Sequence, residues 1–181
     1  IHIHLVDRGV EWNDDTLKYA KMSIADLEAG KTFKSFGVKP FLYKNKEDAL
    51  GWMNYTLGYI YFFDKNNKKE AIAYLYKASQ LPSDTKSNPV LYQSIGAYYY
   101  DEVKRLIDEV QAQIKAQDPK NDTEVVAQQK VDAIKAKVGI LNGTTERALD
   151  AYARAYKLAD QTDKGKPYRD VLRKTMEDLY K

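Results

Sequence analysis

The sequence offers few side chains for catalysis or metal binding. Its two histidines, His2 and His4, stand two residues apart near the start of the chain, and in an extended segment both imidazoles would point the same way. Two ligands are too few for a metal site, and the nearest carboxylate along the chain is Asp7. Cysteine is absent, which excludes thiolate nucleophiles, disulfides and cysteine-based zinc sites. We therefore predict no metal site.

Adjacent acidic residues are the other candidates for chemistry. They are Asp14–Asp15, Asp101–Glu102 and Asp108–Glu109. Two carboxylates at a suitable distance can hydrolyse a glycosidic bond, but these pairs fall at helix starts or on solvated helical faces. The sequence also lacks a glycine-rich phosphate loop, a nucleophile elbow and a His-Glu-x-x-His motif. We predict neither enzymatic activity nor a cofactor, and a hydrolase with an unrecognised carboxylate site is the weakest alternative.

Charge and hydrophobicity argue against two classes of partner. The 29 basic and 26 acidic residues leave a net charge of +3, which is too small and too mixed to indicate nucleic-acid binding. A basic and aromatic stretch at 31–46, KTFKSFGVKPFLYKNK, offers lysines to phosphates and rings to bases, but we interpret it as a strap whose rings pack on the protein. The longest apolar run, Leu57 to Phe63, is far too short to cross a bilayer. We expect no nucleic-acid partner and no membrane insertion.

Helical periodicity predicts an all-α protein with six or seven helices. Tyrosine is frequent, with 15 residues, whereas glycine and proline number nine and five, which is typical of helices joined by large amphipathic rings. An extended arm at 1–12 precedes the first helix, which we expect to begin near Thr16 with Asn13, Asp14 or Asp15 as its cap and to end at Gly30. The further helices are expected at about 47–64, 69–80, 90–117, 123–138, 145–158 and 168–180.

Two stretches carry a recurring pattern of small and large residues. The first copy is Leu57-Gly58-x-x-Tyr61, followed by Ala71-x-x-x-Leu75-x-x-Ala78 and Pro82. It resembles the tetratricopeptide repeat, a helix–turn–helix unit of about 34 residues. In that reading, small residues stand where two helices cross closely, and large residues fill the gap between them. The resemblance implies that 47–82 is the first repeat of an α-α superhelix.

A second, divergent copy is spread over a longer stretch. It begins with Tyr92-x-x-Ile95-Gly96-x-x-Tyr99, and its second half is Ala148-x-x-x-Tyr152-x-x-Ala155. We interpret 89–160 as a split repeat, with an overlong first helix and an inserted helix at about 123–138 that GILNG, residues 139–143, terminates. The helix at 167–181 is then a capping helix or a truncated repeat. The whole chain, 1–181, is expected to form a single domain in which 1–46 holds the arm, the first helix and the strap.

The resemblance also implies a binding surface. In tetratricopeptide repeats the first helices line a concave groove that holds extended peptides or partner helices. Alignment on Leu57–Gly58 and Ile95–Gly96 places eight residues there: Trp52, Tyr55, Tyr59, Phe62, Gln93, Ala97, Tyr100 and Asp101. A groove so rich in rings suits apolar or proline-rich segments, or stacking on sugars and bases. Alternatively, the strap at 31–46 or the inserted helix fills the groove.

Two functions are compatible with these features. The first is a non-enzymatic scaffold that binds a protein or peptide partner, of unknown identity, through the aromatic groove. The second is a ligand- or glycan-binding helical domain of a larger envelope-associated protein. Because the chain opens on Ile1 rather than Met, we expect that it was cut from something longer, and both a cytoplasmic location and export after loss of an N-terminal signal remain open.

Overall fold

The structure, a computed structural model, describes residues 9–31, 43–118 and 120–180, and within these ranges every regular element is a helix. The α-helices are α1 (Asn13–Glu28), α2 (Lys46–Tyr59), α3 (Lys68–Gln80), α4 (Pro89–Lys115), α5 (Glu124–Leu158) and α6 (Lys166–Leu179). A π-helical turn, Ile60–Asp64, prolongs α2. The short 3-10 helices are Val10–Trp12, Asp84–Ser87 and Asp163–Gly165. The expected all-α class is confirmed for the described residues.

Short polar side chains start four of the helices. Asn45, Asn67, Asn88 and Thr123 accept hydrogen bonds from backbone N–H groups in the first turns of α2, α3, α4 and α5. Each bond satisfies a donor that the helix itself leaves without a partner. The starts of α2, α3 and α4 therefore fall within a residue of their predicted positions, because these signals are local in the sequence.

The N-terminal region corrects two expectations. Residues 10–12 form a 3-10 turn rather than part of an extended arm, and residues 1–8, with both histidines, lie outside the described residues. No side chain caps α1. Asn13 is buried, and its amide donates a hydrogen bond of 2.9 Å to the carboxylate of Asp64. The predicted cap is wrong because Asn13 ties the start of α1 to the end of the π-helical turn.

The end of α1 agrees with the sequence. The helix stops at Glu28, and Gly30 adopts φ +79°, a left-handed conformation that glycine reaches without steric cost. Beyond it, residues 32–42 of the expected strap lie outside the described residues. The last part of that segment is described, and there Asn45 caps α2.

Helices α4 and α5 form one long hairpin, which corrects the expected split repeat. Residues 124–158 are a single uninterrupted helix, so the inserted helix and the helix expected after GILNG are one element. The two helices are antiparallel, since Glu109 pairs with Lys137 towards the connecting loop and Gly96 faces Tyr152 at the other end. The extra residues lengthen both arms of the hairpin instead of inserting a new helix.

A heptad-like seam explains why α5 does not break. Residues recur at alternating intervals of four and three along α5, the spacing of a coiled-coil seam. They are apolar except for Thr145: Ala127, Val131, Ile134, Val138, Leu141, Thr145, Ala148, Tyr152 and Ala155. Gly139 and Gly143 lie off this seam, and a Cβ at either would meet nothing within 4 Å. Thr144 and Thr145 do not cap a helix; their hydroxyls donate to the carbonyls of Ile140 and Leu141 at 2.8 and 3.0 Å.

Two apolar clusters join the helices, which pack mainly against their neighbours in the chain. One lies between α1 and α2, around Leu17, Ala20, Met53, Leu57 and Ile60. The other connects α2 through α6 and includes Tyr55, Phe62, Leu75, Tyr92, Tyr152 and Leu172.

The four small residues expected at helix crossings are Gly58, Ala71, Gly96 and Ala148, and all are buried. A Cβ on Gly58 would lie 2.6 Å from the side chain of Leu75, and one on Gly96 would lie 3.0 Å from the ring of Tyr152. Their size therefore sets how closely the helices approach.

Candidate functional site

A line of aromatic rings runs along one side of α2. The rings of Trp52 and Tyr55 meet edge to face, with 6.0 Å between their centroids. Tyr55 and Tyr59 are 6.1 Å apart, and Tyr59 and Phe63 are 4.6 Å apart. Phe62 joins the line through Phe63, at 4.8 Å. We call these five residues the aromatic face.

The rings of the aromatic face lie at different depths. Tyr55 and Phe62 are only 6% and 8% exposed and belong to the larger apolar cluster, contrary to the expectation that they line an open groove. Trp52 and Tyr59 are half-buried and pack against the same cluster. Phe63 is 48% exposed and presents the most accessible ring of the five. The exposed part of the aromatic face is therefore formed by Trp52, Tyr59 and Phe63.

Phe63 is the member of the face that sequence reasoning missed. An α-helix continued past Tyr59 brings Phe62 onto the same stripe three residues later. Phe63 follows Tyr59 by four residues, a spacing that places side chains side by side on an α-helix, and the two rings are in contact although Phe63 lies in the π-helical turn at Ile60–Asp64. The spacing of four residues from Tyr55 to Tyr59 and from Tyr59 to Phe63 was a sequence signal for this member.

The groove residues expected on α4 are engaged within the chain. The side-chain oxygen of Gln93 accepts a hydrogen bond of 2.9 Å from the hydroxyl of Tyr168. Asp101 pairs with Lys68 at 2.6 Å, and the ammonium of Lys104 lies 4.3 Å from the centroid of the Tyr100 ring. Ala97 packs against the larger apolar cluster.

Helix α6 covers part of the expected groove. Leu172 is 1% exposed within the larger cluster, and Tyr168, Met176 and Leu179 pack against it. The bond from Tyr168 to Gln93 fixes α6 beside α4. Helix α6 is not one of the two occupants that the sequence suggested. Residues 32–42 of the strap lie outside the described residues, and the expected inserted helix is part of α5. The sequence predicted this helix as a capping helix or a truncated repeat. The spacing of four, four and three residues between Tyr168, Leu172, Met176 and Leu179 was the available signal for its apolar side.

Burial raises the pKa of two tyrosine hydroxyls, those of Tyr55 and Tyr152. It raises the pKa of Tyr55 to about 12, against a smaller opposite effect from a hydrogen bond with Asn88. Burial also raises the pKa of Tyr152, and the carboxylate of Asp101 adds to that rise. Both phenols are therefore neutral at physiological pH, and both rings pack in the larger apolar cluster.

Several acidic residues that the sequence offered for chemistry form ion pairs instead. The pairs, at 2.6, 2.6 and 2.8 Å, are Asp14–Lys65, Asp101–Lys68 and Glu102–Arg105. Glu109 pairs with both Lys137 and Arg105, and the hydrogen bond from Lys137 holds the pKa of Glu109 below its usual range. A lowered pKa keeps this carboxylate ionised, which is the opposite of what a general acid requires.

The described residues contain no group of three or more His, Asp or Glu side chains placed to hold a metal ion. Over the same residues, no helix combines the length and the apolarity that crossing a bilayer requires. Comparisons with family models, curated proteins and solved structures found no match to this chain.

Proposed function

We propose that this protein is a non-enzymatic scaffold, similar to the tetratricopeptide repeat proteins, that binds an extended apolar segment of a partner protein on the aromatic face. The helix crossings support the repeat-like architecture. Gly58 meets Leu75 between α2 and α3, and Gly96 meets Tyr152 between α4 and α5. In such an array the first helix of each hairpin leaves one side for a ligand.

The observation that carries the proposal is the continuous contact among half-buried and exposed rings. Trp52, Tyr59 and Phe63 are held by the buried rings beneath them. Rings that packing already fixes lose little side-chain entropy when a ligand binds. Aromatic side chains of this kind dominate the energetics of protein interfaces. A narrow stripe on one helix suits an extended or proline-rich segment better than a globular surface.

Selection from a displayed peptide library against the full chain tests this proposal. We expect the selected peptides to share apolar or proline-rich positions. Tyr59→Ala and Phe63→Ala should each weaken binding about tenfold or more, the effect typical of an aromatic residue at the centre of an interface. Trp52→Ala should also weaken it.

Tyr19→Ala provides the matched control, because Tyr19 is 58% exposed on α1 and outside the aromatic face. Failure to select any peptide, or equal loss in Tyr19→Ala and Phe63→Ala, would contradict the proposal. Binding of an oligosaccharide on a glycan array, lost in Tyr59→Ala, would replace it with the glycan-binding alternative.

A further inference from the structure

A cavity of about 500 Å³ lies between α3, α4 and α5. Helix α3 contributes Tyr76, Ser79 and Gln80 to its wall, α4 contributes Tyr92 and Ile95, and α5 supplies the rest. It shares no residue with the aromatic face. Its volume falls within the range of pockets that hold small organic molecules.

Gly143 keeps one wall of this cavity open. It lies inside α5, where glycine costs up to about 1 kcal/mol relative to alanine. A Cβ at this position would meet nothing within 4 Å, so no close helix approach requires the glycine. Gly139, one turn earlier, is equally unhindered but does not line the cavity. The two positions therefore separate the cavity from the general effect of glycine in this helix.

The two arginines around the cavity differ in whether they have a partner. Arg154 pairs with Asp150, with 2.9 Å between Nε and Oδ2. Arg147 also lines the cavity, between Gly143 and Asp150 along α5. It forms no hydrogen bond or ion pair with any described residue. A guanidinium presents a planar fork of donors that matches a carboxylate.

Part of the cavity lining is aromatic and apolar, beside the polar side chains of Ser79 and Gln80. The ring of Tyr76 is 37% exposed and is held edge to face against Tyr99, with 6.3 Å between the centroids. Ile95 and Ala151 are buried and form part of the apolar lining. A ligand with one anionic end and one apolar end would pair with Arg147 and pack on the apolar part of the lining.

We propose that this cavity binds a small monocarboxylate with an aromatic or aliphatic body. The carboxylate pairs with the guanidinium of Arg147, and the body lies against Tyr76 and Ile95. Glu146 and Asp150 also line the cavity. Their carboxylates disfavour a second negative charge on the ligand, so dianions bind more weakly.

Titration of the full chain, followed by ¹H–¹⁵N NMR, tests the site with 3-phenylpropionate as the probe. We expect saturable shifts at amides around the cavity, with a millimolar dissociation constant for so small a ligand. The neutral isostere 3-phenylpropanol and the dianion phenyl phosphate should bind at least about tenfold more weakly. Absence of saturable shifts, or equal affinity for the neutral isostere, would overturn the proposal.

Variants of α5 locate the binding. Arg147→Gln should weaken 3-phenylpropionate about tenfold or more, the loss expected for a hydrogen bond to a charged group. Gly143→Leu should abolish binding by filling the cavity, whereas Gly139→Leu should bind as the parent does. Leucine is a good helix former, so both variants should keep the helical circular dichroism. Equal binding by the two leucine variants would place the probe elsewhere and refute the site. Peptide binding on the aromatic face should persist in Gly143→Leu.

Discussion

The two hairpins α2–α3 and α4–α5 each contain a crossing of the same kind, but their helices differ in length. In each, a buried glycine of the first helix meets a large side chain of the second, Leu75 in one case and Tyr152 in the other. Helix α3 has 13 residues, whereas α5 has 35. The small residue decides how closely two helices approach. The length of the apolar seam decides how far they continue together, and the two properties are independent.

The glycines of the two hairpins differ in how much room each would leave for a side chain. Gly58 has no room for a Cβ, whereas Gly139 and Gly143 have open space around theirs. The first position needs glycine for packing, and the other two sit in a helix that tolerates them because the seam holds it together. A glycine therefore has no fixed meaning until the contacts of its missing side chain are known.

Gly58→Ala should give the largest effect of the changes considered for this contrast. The added methyl would meet Cγ and Cδ2 of Leu75 at 2.6 Å and the backbone nitrogen of Leu75 at 3.2 Å. Overpacking of this kind costs about 2 kcal/mol in the free energy of unfolding. Urea denaturation should show a clearly lower midpoint. An unchanged midpoint would mean that α2 and α3 do not cross at Gly58.

The pH dependence of stability should report the buried phenol of the first hairpin. Burial raises the pKa of Tyr55 to about 12, above a value of about 10 in the unfolded chain. The folded state therefore favours the neutral hydroxyl, and its stabilising contribution is complete below pH 10 and is lost as the pH rises towards 12. By pH 11 the loss from Tyr55 is roughly 1 kcal/mol.

Urea denaturation at pH 9 and pH 11 measures this effect. The parent should lose more stability between the two pH values than Tyr55→Phe does, by roughly 1 kcal/mol. Tyr180→Phe is the control, because Tyr180 is 81% exposed. If Tyr55→Phe and the parent lost the same amount, Tyr55 would be accessible to water and the packing of the first hairpin would be looser than described.

Gly139→Ala should give the smallest effect, with the opposite sign. Alanine in open space on a helix adds no clash and restricts the unfolded chain, which stabilises by about 0.5–1 kcal/mol. Thermal unfolding should show a modestly higher Tm. A lower Tm would indicate that α5 bends or breaks at GILNG, as the sequence alone suggested.

Local signals predicted the helices well where a single turn decides the outcome. The helices expected from 69 and 90 begin one residue earlier, as α3 and α4, after the capping residues Asn67 and Asn88. The same reasoning failed at 139–143, where two glycines in five residues indicated a break. Whether such a stretch stays helical depends on the partner helix, which a local pattern does not contain.

The candidate site was predictable as a stripe but not as a surface. The spacing of Trp52, Tyr55 and Tyr59 placed three rings on one side of a helix, as observed. Their depth followed from the neighbouring helices, which leave Phe62 8% exposed and Phe63 48% exposed. Sequence reasoning also did not foresee the cavity beside Arg147, because residues of three helices form it.

The resemblance to the tetratricopeptide repeat indicated the small residues at the helix crossings. Periodicity and composition were enough to establish an all-helical chain and the positions of most helices. These properties depend on interactions within a few residues, so they can be read along the chain. Packing between distant segments decided which rings are buried, that α5 is one helix, and that α6 lies over Gln93. Such outcomes depend on which surfaces exclude water from one another, and that is a property of the assembled molecule.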